Sequence, residues 1–365
     1  MSATGMSAPG MSAAGISGPG TSAPAIFPAL PDLGGPAQPL LQVLGLRKHF
    51  PLRRAWPWQA ARRVHAVDGV SFAIRKGETL AVVGESGCGK STLARLIARL
   101  LVADAGKLVF DGEGVAEYGG LSLKHYRRQL QMVFQDSFAS LNPRFTALET
   151  VAYGPQVHGL ARRDAVDRAA ALLQQVGLDP VRHGGRLPPA LSGGQRQRIN
   201  IARALAFQPR LLVLDEAVAA LDKSVQAQVL NLLQELKAQQ QLTYLFISHD
   251  LQVVRYLADR VLVMYLGQVV EIAPVETLYR QAAHPYTQAL LAAMPALAAS
   301  GGMSGSVPVL AGDPPNPVEP PPGCRFAGRC PRVQSRCRSE APPLLALAEA
   351  AEHQVACHLA GGTTA

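Results

Sequence analysis

The sequence predicts an α/β fold with a largely parallel sheet, and three observations carry that prediction. Short, wholly apolar runs at Leu80–Val83, Leu211–Leu214 and Tyr244–Ile247 alternate with stretches of helical spacing. Such alternation marks strands covered by helices in a parallel sheet. A Gly-rich loop follows the first run and opens a helix, the context of a phosphate-binding turn. The second run ends in an acidic pair, Asp215-Glu216.

Taken in order, the chain opens with a low-complexity segment, 1–38, repeating MSATG, MSAPG, MSAAG and ISGPG. Gly, Ser, Pro and Ala in that pattern bury too little apolar surface to offset backbone entropy, so disorder is expected. From Leu41 the pattern changes. Val70–Ile74 alternates as a strand before the turn Lys76-Gly77, and a helix is expected from Ser91 to about Leu101. Leu130–Phe134 is a further short strand. Strand signals then fade between Gln135 and Ser192, where Asp164–Val176 has helical spacing and stops at Gly177, so a helical insertion is expected. Arg260–Val263 and Gln268–Ile272 read as a hairpin turning near Gly267. Past Tyr286 the chain is rich in Pro and Gly, including Pro314–Pro322, which puts a boundary near 285.

Composition bounds the function. A length of 365 residues leaves room for about two domains, and 48% hydrophobic against 17% charged residues supplies a real core. The longest apolar stretches, such as Ala289–Ala299, are broken by Pro. None reaches the roughly 18 apolar residues of a membrane span, so the chain is not expected to cross a bilayer by itself. A net charge of +9 favours anionic partners: nucleotide, nucleic acid or an inner membrane face. A dispersed basic surface would give the same total, and no long Lys/Arg run argues for a nucleic-acid arm. The start lacks the basic region and compact apolar core of a secretory signal. A reducing location follows, where clustered cysteines bind metal more often than they form disulfides.

The chemistry-bearing residues fall at fixed spacings. Gly84-Glu85-Ser86-Gly87-Cys88-Gly89-Lys90-Ser91, with Thr92 next, fits a P-loop between strand and helix. Its glycines let backbone N–H groups wrap phosphates, Lys90 reaches the β- and γ-phosphates, and Ser91 offers an oxygen to Mg²⁺. Cys88 reads as a small loop residue rather than a redox switch. Asp215 can hold Mg²⁺ through water. Glu216 can orient or deprotonate an attacking water. His249, after the next strand, can contact the γ-phosphate. Gln135, at the end of the Leu130–Phe134 strand, can touch Mg²⁺ or the attacking water. Leu191-Ser192-Gly193-Gly194-Gln195, about 20 residues before Asp215, offers N–H groups and a hydroxyl at a helix start, which suits an anion. If the fold keeps it away from its own P-loop, its ligand sits on a second subunit.

With these residues in order, residues 41–285 resemble the ATPase subunit of an ATP-binding cassette (ABC) transporter. The resemblance implies a P-loop NTPase (RecA-like) core with an antiparallel β subdomain and a helical subdomain at about 136–200. It implies Walker A at Gly84–Ser91, a Q-loop at Gln135 and a signature at Leu191–Gln195. It further implies a Walker B aspartate at Asp215, a catalytic glutamate at Glu216, a D-loop at Asp222 and a switch histidine at His249. Phe50 is the candidate for stacking on adenine. The chain departs from the family at Ala217, where Pro is usual, and at Ala219, where Ser is usual; neither removes a metal ligand or the catalytic acid.

A narrower resemblance is to the dipeptide/oligopeptide importer branch, carried by Phe138-Ala139-Ser140-Leu141-Asn142-Pro143-Arg144, His284-Pro285-Tyr286-Thr287, Pro320–Cys324 and Arg329-Cys330-Pro331. It divides the chain into 1–38, an ATPase domain at 39–285 and a small Cys-rich C-terminal region at 286–365. It implies transport of peptides, or of nickel and related small solutes. The partners implied are a second ATPase subunit, identical or different, two membrane permease subunits and, indirectly, a solute-binding protein. No nucleic acid is expected, and the location implied is the cytoplasmic face of the inner membrane. The alternative is a soluble ABC ATPase acting on nucleic acid or ribosomes, but such proteins usually carry two cassettes or a long coiled-coil insertion. Cys324, Cys330, Cys337 and Cys357 lack the C-x2-C spacing of zinc sites. Four thiolates can hold zinc or an iron–sulfur cluster, and the resemblance implies [4Fe–4S]. Arg325, Arg329, Arg332, Arg336 and Arg338 are expected to surround the cysteines and offset thiolate charge.

Overall fold

The computed structural model describes residues 34–294 and 315–360, apart from 36, 53–55, 57, 59–61 and 349. Most of the 1–38 segment, with its repeat, lies outside the described residues. Leu41–Pro51 (β1) and Arg63–Ile74 (β2) pair antiparallel from Leu41↔Ile74 to Pro51↔Arg63. The second strand is longer than the Val70–Ile74 run that the sequence shows. Register shifts at Val43/Leu46 and Lys48/His49 explain why: each bulge breaks the two-residue alternation that marks a strand. Thr79–Val83 (β3) leads through the Gly-rich loop into Lys90–Ile97 (α1), shorter than expected because Arg99 takes a left-handed conformation at its end. Ala105–Phe110 (β4) and Glu113–Gly114 (β5) complete a four-stranded sheet of order β2-β1-β4-β5.

Leu123–Gln129 (α2) precedes Leu130–Val133 (β6), the edge of the second sheet. Ala147–Val157 (α3), Arg162–Gln175 (α4) and Pro180–His183 (α5) form a helical insertion, with α3 and α4 packed on Gly193–Leu205 (α6) and α5 on α4. A reciprocal Thr146–Glu149 capping box starts α3. Leu211–Asp215 (β7), Lys223–Gln240 (α7), Thr243–Ile247 (β8), Leu251–Leu257 (α8), Arg260–Tyr265 (β9) and Gln268–Pro274 (β10) follow. Strands β6, β7, β8, β3 and β9 lie side by side and parallel. Every residue of β3, β7 and β8 is buried, as befits strands covered on both faces. Alternate residues serve different cores: Ala81 and Val83 face the helical insertion, Leu80 and Val82 face α1 and the antiparallel sheet. The β9–β10 hairpin turns at Leu266-Gly267, both at positive φ.

After Val275–Gln281 (α9) and Pro285–Ala292 (α10), the C-terminal segment carries Ser335–Ser339 (α11), Leu345–Leu347 (β11) and Ala350–Val355 (β12). The last two strands extend the parallel sheet through β10, giving eight strands in the order β11-β12-β10-β9-β3-β8-β7-β6. Glu271 of β10, fully buried, secures this junction. It accepts the N–H groups of Ala283 (2.7 Å) and His284 (3.0 Å), and its Oε1 lies 2.6 Å from His353 Nε2 of β12. His284 caps α10 by accepting the Tyr286 N–H at Nδ1 (3.0 Å).

Burial holds the His284 pKa down at about 4, against the pull of Glu271 and with help from Arg332. The folded state therefore keeps His284 neutral while the unfolded chain protonates it near 6.5. Stability from this group is present above that value and is lost as pH falls from about 6.5 towards 4. Between pH 7 and pH 5 the loss is about 2 kcal/mol. Urea unfolding at the two pH values should show it, and His284→Asn, which retains a capping acceptor, should remove most of the difference. An unchanged pH dependence in that variant would contradict the assignment.

Candidate active site

The phosphate loop is shaped by two close backbone contacts. A Cβ on Gly84 would stand 2.2 Å from the Met264 carbonyl oxygen, and one on Gly89 2.1 Å from that of Ala66. Both glycines also have positive φ, so no other residue fits. Gly89 sits at the N-cap of α1, and no side chain caps that helix. Lys90 is buried, its ammonium donating to the carbonyls of Gly84 (2.8 Å) and Glu85 (3.0 Å). Burial pushes the Cys88 thiol up, so it stays protonated and inert, in keeping with its reading as a small loop residue.

The candidate catalytic residues gather where parallel strands end. The Ser91 hydroxyl donates to Asp215 Oδ1 at 3.1 Å. Burial, and then the neighbouring Glu216 charge, raise the Asp215 pKa. Glu216 has φ 48°, a left-handed position that is uncommon for a side chain of this size. Its N–H bonds the Ile247 carbonyl at 3.0 Å, tying it to β8. Gln135 Nε2 donates to Glu216 Oε2 at 2.7 Å, and His249 Nδ1 lies 3.4 Å from Oε1. Two residues from two neighbouring strand ends thus meet on the carboxylate of a third. Nothing in the local sequence announced the positive φ of Glu216.

The Leu191–Gln195 turn is built separately. Leu191 is buried as its anchor. Ser192 and Gln195 form a reciprocal capping box: the Ser192 hydroxyl accepts the Gln195 N–H at 3.3 Å, and Gln195 Oε1 accepts the Ser192 N–H at 3.0 Å. A Cβ on Gly194 would lie 2.4 Å from Val225 of α7, and one on Gly193 would meet Leu221. Asp222 occupies the N-cap position of α7, so it belongs to the same surface. Among the described residues no hydrogen bond or ion pair joins 191–195 to 84–92. Phe50 pairs with Val64 across the hairpin, two residues from Ala66, and Lys48 Nζ stands 5.7 Å above its ring. Beside it, and unforeseen from sequence, the His49 and His65 rings lie 4.0 Å apart, tilted by 34°, with Asp68 within ion-pair reach of both.

The four C-terminal cysteines line one cavity with Arg332, His358 and Pro342. All are free thiols. Burial, and then the proximity of Cys337, Cys357 and Cys330, push the Cys324 thiol up to about 11. The expectation that five arginines surround them and offset their charge is corrected for Arg325, Arg329 and Arg336. Arg325 donates to the Leu266 carbonyl and to Asp68, Arg329 pairs with Glu85, and Arg336 with Glu340. Arg332, bonded to Gln288, lines the cysteine cavity, and its charge bears on Cys330. The arginines were misread because a contact such as Arg329–Glu85 spans 244 positions and leaves no local pattern.

Known proteins resemble this chain over most of its length. The ABC transporter family matches residues 67–219 and the oligopeptide/dipeptide transporter C-terminal region matches 270–337. The oligopeptide transport ATP-binding protein AppF of Bacillus subtilis is 46% identical over 322 residues, 88% of this chain and 97% of that protein. OppF of Salmonella typhimurium, also an oligopeptide transport ATP-binding protein, is 44% identical over 84% of this chain and 92% of its own. Among solved structures, cbiO1 of Clostridium perfringens, part of the ABC transporter complex cbiONQ, has a TM-score of 0.57 at 26% identity, covering 67% of this chain and 91% of that one. The ATP-binding cassette MJ0796, in a dimeric post-hydrolysis state with ADP and phosphate, has a TM-score of 0.55 at 26% identity, covering 64% and 98%. With a P-loop, a carboxylate shared by Gln135 and His249, and relatives matched over nearly their whole length, the chain belongs to the ATP-hydrolysing, ATP-binding subunits of ABC transporters, in the oligopeptide/dipeptide importer family.

Proposed function

We propose that this chain powers import of peptides, or of related small solutes such as nickel, by hydrolysing ATP against the membrane subunits of an ABC importer. The observation that carries the hydrolytic part is the Glu216 carboxylate held by Gln135 and His249 beside the Ser91–Asp215 contact. ATP binds with its phosphates in the 84–91 loop and adenine against Phe50. Glu216 takes a proton from the attacking water while Gln135 and His249 fix its orientation. Ser91, Gln135 and, through water, Asp215 present hard oxygen donors that would hold Mg²⁺, which would supply neutralisation of phosphate charge. The peptide cargo rests on the names of the relatives, which are transport subunits, and nothing favours a soluble ATPase acting on nucleic acid.

The ATP site is completed in trans. Ser192–Gln195 and Asp222 of a facing ATPase subunit, identical or different, cover the nucleotide, which accords with a signature turn that makes no bond to its own P-loop. The ATPase domain, about 39–285, is the motor; its helical part, about 136–200 with Phe138–Arg144, passes motion to two permease subunits on the cytoplasmic face of the inner membrane. No helix among the described residues is long and apolar enough to cross a membrane.

We propose a [4Fe–4S] cluster, with zinc as the alternative, for the cysteine cavity of the 286–365 region; four thiols lining one cavity support a metal centre there. Cys324, Cys330, Cys337 and Cys357 would hold the cluster, whose chemistry is structural stapling of a segment with little core of its own.

Two outcomes are expected. Glu216→Gln should retain ATP binding but lose steady-state hydrolysis by about 10²-fold or more; unchanged hydrolysis would remove Glu216 from its role. Chain purified without oxygen should contain about four irons and show broad visible absorbance, whereas stoichiometric zinc without iron would overturn the cluster.

A further inference from the structure

The second residue of the phosphate loop is held by side chains that lie 200 positions and more downstream. Glu85 donates its N–H to the Tyr286 hydroxyl at 2.8 Å. Its carboxylate receives a two-pronged contact from Arg329, Nη1 to Oε2 at 2.8 Å and Nη2 to Oε1 at 3.1 Å. Its carbonyl accepts from Lys90 Nζ at 3.0 Å. Main chain, side chain and carbonyl of one loop residue are therefore all engaged.

Arg329 comes from the Cys-rich segment, yet its side chain is only 7% exposed. The anchor is Phe326, buried against Tyr265 and Tyr286 with ring centroids 5.3 and 5.5 Å away. Arg329 N–H closes a turn onto the Phe326 carbonyl at 3.0 Å, which directs the guanidinium at the loop. Four residues earlier, Arg325 grips the other flank through the Leu266 carbonyl and Asp68. The neighbouring Gly267 N–H bonds the Cys88 carbonyl at 2.8 Å. The segment thus touches the phosphate loop at its start and braces it near its end.

The electrostatic consequence is specific. Glu85 places a carboxylate in a loop built to receive polyanionic phosphates. Unpaired, that charge opposes the ligand; paired in a fork with a guanidinium, it is neutralised and fixed in direction. Bonds made in advance also spare the loop the cost of ordering when nucleotide arrives.

We propose that Arg329 is a positioning residue for ATP, neutralising Glu85 and pinning the first turn of the phosphate loop, so that the Cys-rich segment sets the nucleotide affinity of its own chain. The proposal rests on the assignment of 84–91 as the ATP site. Its test is equilibrium titration of the full chain with a fluorescent ATP analogue and Mg²⁺. Arg329→Gln should weaken binding on the order of tenfold, and Arg329→Lys, which keeps the charge, should retain most of it. Glu85→Gln placed in the Arg329→Gln chain should restore most of the lost affinity, because the exposed charge is gone. A purely structural Arg329 would lower the melting temperature without that rescue. Binding by Arg329→Gln within twofold of the unsubstituted chain, or a double variant as weak as the single, would overturn the proposal. Failure of the unsubstituted chain to bind would instead strike the ATP-site assignment.

Discussion

The parallel pairing of β6, β7, β8 and β3 is the constraint on which the rest depends. Four strands running the same way end at one edge of the sheet, and each delivers a functional group just past its end. β3 gives the phosphate loop, β6 gives Gln135, β7 gives Asp215 and Glu216, and β8 gives His249. A crevice at the carboxyl ends of parallel strands is where α/β sheets bind ligands. The Glu216 N–H bond to Ile247 shows how local this control is, because it locks the turn after β7 to the end of β8. Slipping any of these pairings by one residue would turn the functional groups to the other face.

The same sheet explains why the phosphate loop tolerates so little. Its path is squeezed between the Met264 carbonyl of β9 and the Ala66 carbonyl of β2, so backbone from both sheets defines it. The C-terminal segment then adds to that frame from outside, through β12 on β10 and through arginines that reach Asp68 and Glu85. Sequence places this segment after a Pro-rich stretch and makes it look like an appendage. Packing places Phe326 in the same core as β9 and α10.

Much of the active site was legible because its chemistry resides in short peptides. Gly84–Ser91, Asp215-Glu216 and Ser192–Gln195 each place their candidate functional groups in adjacent residues, and the apolar runs that lead into the first two are strands buried on both faces. What was not legible depends on contacts across the chain. β1 and the first half of β2 were hidden by bulges that interrupt alternation. The left-handed turn at Glu216 has no glycine to signal it. The arginines near the cysteines look like partners for thiolates by proximity alone, whereas Arg325 and Arg329 answer half-buried carboxylates that lie far away in sequence.

The central claim is that one chain carries two half-sites, a P-loop that holds phosphates and a Ser192–Gln195 turn that serves a neighbour's nucleotide. The most direct measurement is the structure of the assembled transporter, its Glu216→Gln form trapped with ATP and Mg²⁺. The account predicts phosphates bound in the 84–91 loop of this chain and covered by the signature turn of the facing ATPase subunit. Phosphates covered by residues 191–195 of the same chain, or left open to solvent in the ATP-bound closed state, would contradict it.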